Sequence, residues 1–113
     1  LALEARPSAG DVAARLAALY ERGFGGKERG RYRISMKHMR ALTGRRRVTS
    51  EVLQGIGEEL FELGFVLIDL ETHFVILAQR TFNSYRRVSD ACLEEDDGLA
   101  RVGLTEERSN AAE

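Results

Sequence analysis

The sequence predicts an α+β domain, and three observations predict it. Apolar residues recur at helical spacing in three segments, each opened by a Ser or Thr and closed at a glycine. Two segments rich in β-branched and aromatic residues, 65–70 and 73–78, stand two residues apart and read as a hairpin. Charge is sorted along the chain. Lys27 to Arg47 holds nine Lys/Arg and one acid, Glu28, whereas Val48 to Gln79 holds six acids and no Lys or Arg. The formal net charge of −1 hides this division.

The chain has 113 residues, the length of one domain, with 43% hydrophobic and 31% charged residues. The single cysteine, Cys92, excludes an internal disulfide and a Cys-based zinc site. It leans toward a reducing compartment, so a cytoplasmic or nucleoid-associated protein is expected. No apolar run approaches the roughly 18–20 residues of a membrane span. The opening residues lack the pattern of a secretory signal. A start at Leu1 also fits a piece of a longer polypeptide.

Ser8 caps a helix expected to run to Arg22, with Asp11 in its first turn and Val12, Leu16, Leu19 and Tyr20 on one face. Gly23 is its expected stop. Gly23 to Gly30 is glycine-rich, but its lysine, Lys27, is followed by Glu28, and the spacing does not match a phosphate loop. A flexible connector is expected there. Arg31 to Ile34 reads as a short strand, with Tyr32 and Ile34 opposite Arg31 and Arg33.

Ser35 then caps a short helix, Met36 to Thr43, with Met36, Met39 and Leu42 inward and Lys37, His38 and Arg40 outward. Gly44 ends it. Thr49 or Ser50 opens a helix from Glu51 to Leu63, whose buried stripe is Val52, Leu53, Ile56, Leu60 and Leu63. Gly64 stops it. In the hairpin, Glu71-Thr72 is the expected turn, which sets Leu70 against His73 and Ile68 against Val75. Both faces of the hairpin are apolar, so a cover for the second face is expected. The candidate is a last helix, Thr81 to Leu93, with Phe82, Tyr85, Val88 and Cys92 on one side. Cys92 is expected to be buried and inert. A folded domain over 1–93 (core about 8–79) and an acidic, mobile tail over 94–113 complete the organisation.

The order helix, strand, helix, turn, helix, hairpin over about Ser8 to Gln79, with the punctuation Ser35, Gly44, Thr49-Ser50 and Gly64, resembles the winged helix-turn-helix superfamily. The resemblance implies a winged helix with an N-terminal helix, a β-hairpin wing over Asp69 to His73 and a C-terminal helix. It also implies that the helix beginning at Thr49 enters the DNA major groove.

The residues support a matching chemistry. Lys37, Arg40, Arg45, Arg46 and Arg47 would straddle a phosphate backbone, with Arg31 and Arg33 adding contacts. Thr49 and Ser50 at a helix N-terminus suit a phosphate, and Gln54 suits a base edge, adenine above all. The expected function is thus binding of double-stranded DNA in transcriptional or mobile-element regulation, with a homodimer through hairpin 65–78 and helix 81–93. A second reading is a protein-interaction module. The outward face of the third helix, Glu51, Gln54, Gly55, Glu58 and Glu62, has no positive charge, and Asp69 and Glu71 make the hairpin tip acidic.

Catalysis, cofactors and metals find no support. His38 and His73 show no Cys-His or zinc-type spacing. Glu94 to Asp97 lacks the spacing of a calcium loop.

Overall fold

A computed structural model describes residues 6–95 of the chain. The chain divides into two compact units, Leu1–Asn83 and Ser84–Glu113. The first unit holds three α-helices and a three-stranded antiparallel sheet: α1 (Ala9–Glu21), β1 (Tyr32–Ser35), α2 (Met36–Thr43), α3 (Ser50–Glu62), β2 (Phe65–Asp69) and β3 (His73–Ala78). The α+β class expected from the sequence is observed.

Each helix begins on a hydroxyl the sequence offered as a cap, and of the pair Thr49 and Ser50 it is Thr49 that caps α3. Ser8 Oγ accepts from Asp11 N at 3.0 Å, and Asp11 Oδ2 accepts from Ser8 N at 3.1 Å, a reciprocal capping box. Ser35 Oγ accepts from His38 N, and Thr49 Oγ1 from Val52 N, both at 3.2 Å. These caps satisfy N–H groups that the first helical turn leaves without partners. Gly44 closes α2 in the left-handed region at φ 68, where a Cβ would be strained.

The sheet order is β1-β3-β2. β3 pairs with β1 through Arg33↔Val75 and Ile34↔Phe74, and with β2 through Leu67↔Ile76 and Ile68↔Val75. The Ile68–Val75 register is the one the two-residue turn requires. The turn succeeds without Gly or Asn. Glu71 takes φ 75, and Thr72 N–H donates to Leu70 C=O at 2.9 Å, a γ-turn centred on Glu71. Asp69 Oδ1 accepts from Glu71 N at 2.8 Å, so an aspartate next to the turn holds the unfavourable conformation in place.

The core lies between the helices and one sheet face. Val12, Ala13 and Leu16 of α1, Ile34 of β1, Met39 of α2, Leu53, Ile56 and Leu60 of α3, and Phe74 and Ile76 of β3 form one buried cluster. Tyr32 joins its margin. Burial raises the pKa of its hydroxyl, which donates to the Leu16 carbonyl at 2.7 Å. Small residues set the α1–α3 approach, since a Cβ on Gly55 would lie 3.6 Å from that of Ala9.

Several expectations need correction. The loop after α1 is a tight turn rather than a loose connector. Phe24 and Lys27 exchange two backbone bonds, 2.9 and 3.0 Å, around Gly25-Gly26, both at positive φ. This is the geometry that Gly-Gly favours in two-residue turns. Leu63 is half exposed rather than buried, because it is the C-cap residue and the last turn tightens there, with Leu63 N–H reaching Leu60 C=O at 3.0 Å. Gly55 faces Ala9 rather than solvent.

The helix expected over 81–93 is not continuous. A 3-10 helix, Gln79–Ser84, is followed by an irregular stretch, and a new helix occupies 90–95. Tyr85 and Val88, on the face expected to be buried, are 59% and 69% exposed. Ser89 Oγ then caps the next helix by accepting from Cys92 N at 3.3 Å. Cys92, expected to be buried, is exposed. The tail expected over 94–113 begins inside that last helix, and beyond Glu95 it lies outside the described residues.

Candidate nucleic-acid interface

Three elements position the basic residues. In β1, alternation sends Tyr32 and Ile34 toward the core and leaves Arg31 and Arg33 exposed on the opposite face. β1 runs directly into α2, and Met36 N–H donates to Thr72 C=O at 3.2 Å, which ties the start of α2 to the hairpin turn. On α2, Met39 is buried, so Lys37 and Arg40 lie outward and are exposed. The α2–α3 turn carries Arg45, Arg46 and Arg47. Arg46 and Arg47 are exposed. Arg45 is half-buried and lines a small cleft with Pro7, Thr43 and Glu51. Among the described residues, no ion pair engages Lys37, Arg40, Arg45, Arg46 or Arg47. Their charge is therefore available to an anion.

The N-terminus of α3 adds donors. Thr49 Oγ1 already serves as the cap, but its hydroxyl hydrogen remains to donate, and Ser50 is exposed. Glu51 in the same first turn favours the helix and opposes a phosphate. Gln54, expected to read a base, donates instead to Glu58 Oε2 at 3.2 Å. Reading a base would require release of that exposed contact.

Arg22, Lys27 and Arg29 lie beyond the basic set that the sequence marked. Arg22 and Lys27 line a concavity of about 390 Å³ together with Arg29, Arg31 and Arg33. The Gly25-Gly26 turn folds Lys27 back toward Phe24, which packs edge-on against Tyr32 with ring centroids 5.5 Å apart. One member is neutralised, since Arg29 Nε donates to Glu21 Oε1 at 2.9 Å. The signal in the sequence was the Gly-Gly pair itself, which closes this loop onto β1.

The acids take a separate surface. Glu51, Glu58 and Glu62 are exposed along α3, and Asp69 and Glu71 at the hairpin tip. Among the described residues no group of three or more His, Cys, Asp or Glu could hold a metal ion, and no helix is long and apolar enough to cross a membrane.

Fold and surface together define a small α+β domain with exposed cations on one helix and its following turn, and carboxylates on the next helix and the hairpin tip. No family model, curated protein or solved structure matches this chain.

Proposed function

We propose that this chain is a winged helix-turn-helix domain that binds double-stranded DNA and serves transcriptional or mobile-element regulation. The element order and the β1-β3-β2 sheet support the winged-helix reading. The observation that carries the binding reading is the set of cations on α2 and the α2–α3 turn, which form no ion pair among the described residues and lead into the capped N-terminus of α3.

Distance decides whether the acids forbid it. Glu58 and Glu62 lie roughly 12 and 18 Å along the helix axis from Ser50, at about 1.5 Å per residue. That exceeds the Debye length of about 8 Å at physiological salt. A phosphate at the first turn of α3 therefore feels Arg46, Arg47 and Glu51 far more than the distal acids. The interface is shallow: α2 and the turn straddle the backbone, and only the first turn of α3 enters the groove. Arg31 and Arg33 on β1 add outlying contacts. DNA binding of this kind places the protein with the nucleoid.

A shift assay with random duplex DNA tests the reading. Five neutralised phosphates give a log–log salt slope of roughly −4 to −5. Arg46→Glu with Arg47→Glu abolishes binding, and Glu58→Ala leaves it unweakened. No shift at low salt overturns the proposal.

The acidic outer surface of α3 and the hairpin tip favours a second reading, a protein-interaction module using Glu51, Glu58 and Glu62. Charge reversal at Glu58 and Glu62 would then matter more than reversal at Arg46 and Arg47.

A further inference from the structure

β2 forms one edge of the sheet, and its ladder identifies which of its backbone groups are open. Gln79 N–H donates to Gly64 C=O at 3.0 Å, and Leu70 N–H donates to His73 C=O at 2.9 Å. Both ends of the strand are thereby fixed: Gly64 and Leu70 turn their backbone groups toward β3 and its extension. With a period of two, Val66 and Ile68 do the same, in register with Leu77 and Val75. The N–H and C=O groups of Phe65, Leu67 and Asp69 therefore point to the open side. Among the described residues no other strand pairs there.

Only Asp69, at its end, puts a charge on this edge. Phe65 to Asp69 contains no Lys and no Pro, the residues that usually discourage pairing on an exposed edge. Beside it runs a groove of about 410 Å³, lined by Gln54, Gly57, Glu58, Phe61 and Glu62 of α3 with Val66 and Leu67 of β2. Phe61 is 59% exposed, an aromatic side chain left outward on a helix whose opposite face fills the core. Glu58 and Glu62 add negative charge to the groove, and the whole segment from Val48 to Gln79 has no Lys or Arg to offset them.

An open strand edge and an acidic, aromatic groove along it point to the same kind of ligand. We infer that the β2 edge takes up an extended peptide segment of another protein, in which apolar residues alternate with Lys or Arg. The peptide adds a fourth strand to the sheet by bonding to Phe65, Leu67 and Asp69. On the face toward α3 its cations meet Glu58 and Glu62 and lay their aliphatic stems over Phe61; its apolar residues take the other face, beside Val66 and Ile68. A second copy of this chain fits less well. A two-fold pairing of β2 with itself juxtaposes the same acidic strip on both copies, since such an interface is built from one patch used twice. The inference uses none of the basic residues assigned to DNA, so either reading can fail without the other.

The test uses the full chain and a synthetic heptapeptide alternating Val with Lys and Arg, with a Glu-for-cation version as control. Amide hydrogen exchange followed by NMR is the readout. Binding slows exchange at Phe65, Leu67 and Asp69 and leaves Val66 and Ile68, already bonded to β3, unchanged. Glu58→Lys with Glu62→Lys weakens the cationic peptide at least about tenfold. Arg46→Glu with Arg47→Glu leaves it unaffected. Absence of binding up to about 1 mM peptide, a Kd no tighter than weak encounter, overturns the inference. So does protection without the alternation. The alternating protection in peptide-free samples, with a dimer mass in the ultracentrifuge, assigns the edge to a second copy and overturns it as well.

Discussion

Tyr32 shows how one side chain couples strand, helix and pH. Its hydroxyl ends on a carbonyl of α1, and burial raises its pKa above the ordinary 10.0. The folded chain keeps the phenol protonated at a pH where the unfolded chain has begun to lose that proton. The Tyr32 contribution to stability is therefore complete below pH 10.0 and falls as pH rises through the value in the folded state. Tyr32→Phe is expected to cost about 0.5–1.5 kcal/mol near neutral pH, the worth of one hydrogen bond. The same variant should lose stability less steeply than the parent above pH 10.0. Urea unfolding of both proteins across the alkaline range checks the two halves of this expectation.

At the scale of elements, the α1–α3 contact is governed by glycine. Gly55 sits in the interior of α3, where glycine is a poor helix former. A Cβ there would meet Ala9 at 3.6 Å, an ordinary contact. Gly55→Ala should therefore stabilise the domain by about 0.5–1 kcal/mol. Gly55→Leu should destabilise it by about 1–3 kcal/mol, because the larger side chain forces the helices apart. Thermal unfolding separates the outcomes; equal losses from Ala and Leu would show that the helices already touch too closely for any side chain.

The elements were legible in the sequence wherever local chemistry decided them. Ser8, Ser35 and Thr49 announced helix starts because a hydroxyl cap is a local event. The hairpin register followed from a two-residue turn. The segment after β3 was misread because its spacing of Phe82, Tyr85, Val88 and Cys92 is helical while two of the apolar side chains, Tyr85 and Val88, remain exposed. Periodicity registers where a buried face could be, and only tertiary contact decides whether one exists. The same limit applied at the interface. Arg45, Arg46 and Arg47 are equivalent in sequence, yet Arg45 is half-buried in a cleft that includes Glu51, and Gln54 is bonded to Glu58. Neither placement has a one-dimensional signature.

For the whole molecule, the buried cluster lies entirely within the first unit. A chain ending at Asn83 should keep its fold, with a Tm within about 4 °C of the full chain, the shift that 1 kcal/mol would produce in a domain of this size. A larger drop would show that residues beyond Asn83 contribute to the stability. The charge division has a whole-molecule meaning too. The net charge of −1 conceals a +8 segment over 27–47 and a −6 segment over 48–79, and long-range steering of a ligand depends on their separate fields rather than on the total.

Gln79 has a mechanical consequence. It is bonded twice to the end of α3, through its N–H to the Gly64 carbonyl and through Nε2 to the Phe61 carbonyl at 2.6 Å. A pull transmitted through the 3-10 helix, Gln79–Ser84, must break these two bonds before it opens the hairpin. Behind them lies the Phe65–Ala78 end of the hairpin, so once the clasp opens the strands separate pair by pair, like a zipper, rather than resisting together in shear. Gln79 thus serves as a latch on the hairpin: its two bonds stand between the end of β3 and Phe74, Leu60 and the rest of the core.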